Sequence, residues 1–381
     1  MKQSINLFEY KNWEKFGDND KELEEFNKFL NNIWQNRKAA TLNFDGNSQD
    51  NEEDNSDQQF LKFNFLKQIK ANNYVGIIRY KEKVINLLPK IFYKKAPIQE
   101  QELRNIHAHL LWWLSYGTKL KFPKLWSNFD HIKSDFLEIL IYLFATYTKE
   151  TLSNILYQTY QEVEREVTYM KGRLDMSQYI RQNLSRGRWH QLSCVYSSFE
   201  LDNRFNRIIK YVAKLLLSVT QNAENKSLLS DIVFILDEVN NQKMTAADCE
   251  KVSINPLYRE LMPILDYCKL FLTNSTILRF KNELEVFAFL LPMEVIFEKF
   301  VVGFLKKHFD NTFKIKAEKS DKYLASLFYG DKKEKENVFQ LKQDIFLTDK
   351  QDEKRQIIID TKYKKIDTSI NNENKKHGVS Q

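Results

Sequence analysis

The apolar positions of this chain repeat with two periods, and the period changes along its length. Residues 74–80 (YVGIIRY) and 84–92 (VINLLPKIF) are short runs of β-branched and aromatic residues on either side of Lys81, Glu82 and Lys83. That pattern predicts a β-hairpin. Helical spacing follows: Pro97 can open a helix in which Leu103, Ile106, Leu110 and Trp113 recur before Gly117 closes it. Residues 133–147 and 151–170 also predict helices, the second with Leu152, Ile155, Val163, Val167 and Met170 on one stripe. Residues 203–219 are amphipathic. Phe205, Ile208, Ile209, Val212, Leu215, Leu216 and Val219 form the stripe to be buried, with Arg204, Arg207, Lys210 and Lys214 opposite. Helices are further expected at 227–239 and 257–273, and no internal repeat is visible.

The pattern changes again near residue 280. Residues 285–309 predict one long helix carrying Met293, Phe297, Phe300, Val301, Phe304 and Leu305, and three short β-like runs follow at 312–317, 340–347 and 356–360. At the other end, residues 1–43 mix aromatic and charged positions without a clear period. Residues 45–59 (DGNSQDNEEDNSDQQ) are almost free of apolar side chains and predict a mobile loop. The expectation is a multidomain α+β protein. Its parts would be a β-containing N-terminal region (1–96), a mainly helical middle (97–280) and a C-terminal α/β unit (281–381). A length of 381 residues agrees with two or three domains at about 150 residues each.

Composition mostly excludes. Hydrophobic residues at 43% and charged residues at 29% suit a globular protein with a real core. No apolar run nears the roughly 18–20 residues of a membrane span, and the longest, 136–147, carries Glu138. Polar and acidic residues within 1–10 occupy the place of a signal peptide's apolar stretch, so a cytoplasmic location is expected. The nine glycines are scattered, with no G-x-G pair. A phosphate-cradling loop needs clustered glycines to bring backbone N–H groups to the anion, so nucleotide hydrolysis would have to come from another chain. Cys194, Cys249 and Cys268 are too widely spaced for a zinc knuckle and too few for a disulfide framework. His107 and His109 stand two apart on a helix and point to different faces, which disfavours a shared metal. A net charge of +7 permits phosphate contact without demanding it.

Candidate chemistry lies near the C-terminus. The run Ile357, Ile358, Ile359 ends in Asp360-Thr361-Lys362, whereas the D-x-K or E-x-K matches at 9–11, 331–333 and 373–375 read as solvated surface. Three β-branched residues before Asp360 are the pattern of a buried strand ending at a rim. Asp344 sits in a second strand-like run, 341–347, and Glu298 lies on the preceding helix one turn from Glu294. Two carboxylates can bind a hard cation such as Mg²⁺ and leave positions for water and a scissile phosphate. Lys362, on the same side of a strand as Asp360, could offset charge in the transition state. A surface hairpin with an Asp–Lys ion pair accounts for the same spacing.

Several segments, in order, resemble one family. They are YVGII at 74–78 with INLLPKI at 85–91, MKGRLDMSQYIRQN at 170–183, FELDNRFNRIIK at 199–210, LPMEVIFEKFV at 291–301, and Asp344 with IIDTKYK at 358–364. Together they resemble McrC, the nuclease subunit family of the McrBC modification-dependent restriction systems, also grouped with LlaJI-type components. The resemblance implies a PD-(D/E)xK restriction-endonuclease-like C-terminal domain, with Asp344, Asp360 and Lys362 as the catalytic trio. Glu298 would be the supporting acid, and Mg²⁺ would be held by Asp344 and Asp360. It further implies a type IV-like DNA endonuclease acting in phage defence on DNA with modified cytosine such as 5-methylcytosine. The partner would be McrB, an AAA+ GTPase ring on which the N-terminal part docks and whose GTP hydrolysis it stimulates. Two departures stand out. Gln343 replaces the family's proline before Asp344, and the chain ends at Gln381 where family members continue with a helix bearing Gln and Tyr. A truncated nuclease domain is therefore expected, and a cleavage-deficient subunit that only docks and stimulates the GTPase is the alternative.

Lys171, Arg173, Arg181, Arg186 and Arg188 form a basic cluster interspersed with Tyr179 and Trp189. Contact with nucleic acid, contact with the partner (including an arginine reaching a GTPase site) and a solvated face all fit it. Trp112 and Trp113 are expected in the core.

Overall fold

The computed structural model describes residues 3–42, 58–117, 136–280, 283–329 and 334–364. The chain opens with strands β1 (Gln3–Phe8) and β2 (Glu14–Lys15) and helix α1 (Asp20–Leu42). This helix fills a stretch in which the sequence shows no clear period. Phe26, Phe29, Leu30 and Ile33 are its buried face, an i, i+3, i+4, i+7 stripe diluted by charged neighbours. Strands β3 (Leu61–Phe63), β4 (Gln68–Ala71), β5 (Tyr74–Tyr80) and β6 (Lys83–Leu88) follow. The expected hairpin is β5–β6, antiparallel, with Lys81 at φ 51° in its turn. Residues 45–57 of the expected loop lie outside the described residues. Gln58, at its end, is buried, its side chain accepting from the amides of Phe60 and Leu61 and donating to the Leu61 carbonyl.

Helices α2 (Glu100–Gly117) and α3 (Phe136–Asn154) match the spacing expected of them. The helix expected over 151–170 is not formed. After α3 the chain runs as β7 (Thr159–Val167), then β8 (Arg173–Leu174), the single turn α4 (Met176–Gln178) and β9 (Leu192–Glu200). Val163 and Val167, four apart, satisfy a helical period and a period of two equally. Pairing of all nine residues of β7 with β9 decides for the strand. Next come α5 (Arg204–Leu217), α6 (Ala223–Ile235), α7 (Ala246–Glu250) and α8 (Met262–Asn274), then β10 (Ser275–Phe280) and β11 (Glu283–Pro292). The long helix expected from 285 begins only at α9 (Met293–Phe309). The run VFAFLLP before it reads as strand because β11 pairs with β5 on one side and β10 on the other, with residues 287–291 buried. A strand buried on both faces loses its alternation and cannot be told from a helix by period alone. The last elements are β12 (Phe313–Tyr329), β13 (Glu334–Asp349) and β14 (Gln356–Ile359). They occupy the three runs expected there and extend the first two.

The strands make four sheets: β1-β6-β5-β11-β10, β2-β4-β3, β7-β9-β8 and β12-β13-β14. The chain divides into two compact units, one of residues 1–139 with 274–381 and one of residues 140–273. These cut across the three regions expected from composition, because β10 and β11 belong to the N-terminal sheet. The first unit's core joins Leu7, Phe16, Phe26, Leu30, Phe60, Ile78, Ile85, Leu87 and Leu290. Among the described residues no helix is long and apolar enough to cross a membrane.

In the second unit Asn203 caps α5 by accepting from the Asn206 amide. The side-chain amides of Asn203 and Asn206 both donate to the Tyr157 carbonyl, joining α5 to the start of the sheet. Asp202 takes a two-pronged grip from Arg207, 2.7 Å at each prong. Lys210, expected on the solvated side of α5, is instead buried, and its ammonium donates to the carbonyls of Asp237 (2.8 Å) and Val239 (2.6 Å). Burial, and to a lesser degree the nearby Lys214, lowers its pKa. Lys210→Met leaves two carbonyls short of a donor and is expected to destabilise the chain by about 2 kcal/mol in urea unfolding. An unchanged midpoint would show that water satisfies both carbonyls equally well.

Candidate active site

Strand β13 lies between β12 and β14, and its register with β14 matches Ile345 to Ile359. Continued by one residue, that register sets Asp344 opposite Asp360. Directly opposed residues of an antiparallel pair present their side chains to the same face. β14 ends at Ile359, so Asp360, Thr361 and Lys362 stand just beyond the strand on a short limb. The limb is tied back to β13 by Asp344, whose Oδ2 accepts from the Thr361 backbone N–H (2.7 Å) and hydroxyl (2.9 Å). Both bonds fall on one oxygen. Lys362 Nζ stands 3.1 Å from Asp360 Oδ2, with both side chains about two-thirds exposed.

The buried strand expected before Asp360 is not observed. Ile357 and Ile358 are exposed, and Ile345, Phe346 and Leu347 of β13 carry the burial instead. The reason is position: β14 is an edge strand, and β13 lies inside the sheet. Glu298 lies half-buried on α9, one turn beyond the exposed Glu294. Among the described residues no set of three or more His, Cys, Asp or Glu side chains could hold a metal ion, so Glu298 does not complete such a set with Asp344 and Asp360. Two carboxylates nonetheless suit Mg²⁺, which keeps much of its water shell and is commonly held by one or two carboxylates. The Asp344 oxygen not engaged by Thr361 is the donor such an ion would use.

Behind the limb, α2 and α9 pack closely. A Cβ on Gly303 would lie 1.9 Å from the Tyr116 carbonyl oxygen, so this crossing requires glycine. Trp112, Trp113 and Tyr116 of α2 meet Phe300 of α9. Trp113 is buried as expected, whereas Trp112 is 39% exposed and only its inner face packs. Into this seam the chain inserts Tyr363, the residue after Lys362. Its ring lies 5.4 Å from that of Phe297 and 6.4 Å from that of Trp113, and Lys90 Nζ sits 4.3 Å above it. Below Tyr363 is Glu9, fully buried, whose Oε2 accepts from the Lys90 amide at 3.1 Å. Burial pushes the Glu9 carboxyl up to about 7, against the lowering pull of the Lys90 N–H and ammonium and of Tyr363. Burial and the Glu9 charge also raise the Tyr363 phenol.

Glu9 is thus no solvated E-x-K. The sequence carried only a weak signal for it, a carboxylate placed directly after the apolar end of β1.

The basic candidates belong to the second compact unit. Lys171, Arg173, Arg181, Arg186 and Arg188 are all exposed, on the stretch between β7 and β9. Lys171 Nζ lies 4.2 Å over the Tyr196 ring. Tyr179 donates to the Trp189 carbonyl, and Trp189 itself is 70% exposed. Tyr169, Met170, Met176, Ile180 and Leu184 are exposed on the same stretch. All three cysteines are free and buried, in agreement with packing roles. Burial raises the thiols of Cys249, to about 11, and of Cys268. His107 is buried while His109 is exposed against Phe92 and Trp112.

No curated protein matches the chain. Several solved chains resemble it, two of them as follows. One is a refined half-complex from a tetradecameric assembly of Thermococcus gammatolerans McrB AAA+ hexamers with bound McrC. It has 20% identity and a TM-score of 0.62, covering 91% of this chain and 76% of that one. The other is a Thermococcus gammatolerans McrBC complex, with 21% identity and a TM-score of 0.57, covering 80% and 87%. At these identities the likeness is one of fold. Residues 69–381 also match the family described as McrBC 5-methylcytosine restriction system component, a span holding both β13 and the Asp360–Lys362 limb. The chain therefore belongs to the McrBC 5-methylcytosine restriction system component family.

Proposed function

We propose that this chain is the nuclease subunit of a GTP-dependent restriction system directed at modified cytosine. In this reading it hydrolyses DNA phosphodiesters with Mg²⁺ through a PD-(D/E)xK-type site and is activated by an McrB-like AAA+ GTPase. The observation that carries the reading is that Thr361 ties the Asp360–Lys362 limb to Asp344, with Lys362 beside Asp360, inside the span that matches the family. A divalent cation held by the two carboxylates would supply Lewis-acid polarisation of the phosphate. Asp344 and Asp360 would provide the negative charge that attracts it. Lys362, already paired with Asp360, would offset charge developing on the phosphate oxygens. Thr361 would hold Asp344 in orientation, leaving one carboxylate oxygen outward. The partner assignment draws on the McrB hexamers bound by the structural neighbour, and on the lack of any glycine-rich nucleotide loop in this sequence. The exposed apolar and basic side chains between β7 and β9 suit burial against such a partner.

A second reading is favoured by the exposure of the Asp360–Lys362 pair and by the absence of a three-acid cluster among the described residues. In it the subunit docks on the GTPase and stimulates it without cutting. The chain combined with an McrB-type GTPase, GTP and DNA carrying 5-methylcytosine separates the two. Cleavage dependent on Mg²⁺ and GTP is expected. GTP hydrolysis stimulated with the DNA left intact would overturn the nuclease reading and support the second.

A further inference from the structure

We propose that Glu9 is a positioning residue for the limb bearing Asp360 and Lys362, acting through Tyr363. The proposal rests on the nuclease reading for its effect on cutting and on geometry alone for the tether.

Tyr363 follows Lys362 without an intervening residue, so whatever fixes its ring fixes the base of the lysine. Thr361, donating to Asp344, holds the limb at one point. Tyr363 supplies the second. Its ring is wedged among Phe297, Trp113 and the Lys90 ammonium, and its hydroxyl is turned into the pocket that holds Glu9. Both the hydroxyl and Glu9 Oε1 are buried without a well-formed hydrogen bond among the described residues. The Ile91 backbone N–H also reaches the phenol oxygen, and the Glu9 carboxylate is the acceptor left for the phenol's proton. Glu9 is fixed in turn by its own amide, which donates to the Leu88 carbonyl, and by the Lys90 amide on its Oε2. The end of β1 therefore anchors the limb through one side-chain pair.

The groups facing Glu9 are Lys90 from the end of β6, Tyr363 from the limb, Glu294 from the first turn of α9 and Tyr10 next to it in sequence. Burial opposes the charged carboxylate most and Glu294 adds to that, whereas Lys90 and the Tyr363 hydroxyl favour it. The sign follows. A carboxyl raised from 4.5 to about 7 in the folded chain contributes stability that is fully present below about pH 4.5 and lost as pH rises through about 7. Neutral Glu9 can donate its proton to the Tyr363 oxygen and hold it. The carboxylate accepts from the Tyr363 hydroxyl, a bond that favours the charged form, so the tether can hold in either protonation state.

Three variants test this in the full chain assembled with its GTPase. Tyr363→Phe and Glu9→Ala should each slow cutting about tenfold, with DNA affinity and GTPase stimulation unchanged. Their combination should be no slower than either alone, since both break one contact. Glu9→Gln, which keeps an acceptor and a donor for the Tyr363 hydroxyl, should restore cutting to near the wild-type rate. Hydrogen exchange of residues 356–364 reads the tether without catalysis. It should be faster in Tyr363→Phe and Glu9→Ala than in wild type, and return to the wild-type rate in Glu9→Gln. A Tyr363→Phe chain that cuts at wild-type rate, additive losses in the double variant, or a Glu9→Gln chain that cuts as slowly as Glu9→Ala would overturn the proposal. If wild type cuts no DNA, the nuclease reading fails. The tether is then judged by exchange alone, and unchanged exchange in Tyr363→Phe overturns it.

Discussion

Asp344→Asn, in the chain assembled with an McrB-type GTPase, is expected to cut DNA at least about a thousandfold more slowly than wild type, well beyond the 10–100-fold cost of losing an outer-shell partner. Asn keeps the size of the side chain and an oxygen that can accept from Thr361, so the limb stays attached to β13. What disappears is the charge on the edge facing Asp360, and with it half of the negative potential available to a divalent cation. Thr361→Val is the companion variant. It removes the hydroxyl bond to Asp344 and leaves the backbone N–H bond and both carboxylates in place. We expect it to cost only about tenfold, as a change in orientation and not in charge. GTP hydrolysis by the partner should be the same in all three proteins, because the limb contributes nothing to the nucleotide site in this reading. Undiminished cutting by Asp344→Asn, with folding intact, would remove the acid from the mechanism.

The largest expected effect on stability is at Gly76. It sits in β5 with φ +138°, opposite Leu290 of β11, where the two strands approach so closely that a Cβ would lie 2.1 Å from the Phe289 carbonyl oxygen. Two costs therefore add in Gly76→Ala. The backbone region is one that residues with a side chain rarely enter, and the obstacle is main chain, which cannot swing aside as a side-chain tip can. β5 pairs on both edges, with β6 and β11, so a shift there disturbs the centre of the five-stranded sheet. We expect Gly76→Ala to destabilise the chain by about 3 kcal/mol or more, read from the urea midpoint at constant slope. A loss below about 1 kcal/mol would mean that β11 can move away without disrupting the sheet.

Legibility in the sequence followed the physics of each element. Helices α2 and α5 each carry one apolar stripe, and the β5–β6 hairpin is two β-rich runs split by a charged turn, so local signals located them. The β7 and β11 segments did not. Val163 and Val167 satisfy two periods at once, and residues 287–291 are apolar throughout because both faces of β11 are covered there. Helix α1 was hidden by its charged residues, although its buried stripe is regular. Lys210 illustrates the opposite failure. A lysine opposite the apolar stripe of a helix reads as solvent-facing, and only the carbonyls of Asp237 and Val239, in a later segment, draw it inside.

For the candidate site, the sequence by itself determined the residue types and their order: two acids on successive strand-like runs, a lysine two residues after the second, and a set of segments sufficient to place the chain in its family. The tertiary structure decided which of these residues stand opposite one another, that the strand before Asp360 is an exposed edge, and that Glu9 lies beneath Tyr363 across more than 350 positions of chain. The division has a physical cause. Local periodicity and chemical type are properties of neighbours along the backbone. Register, burial and the shift of a carboxyl towards neutrality arise only when distant segments exclude water from one another.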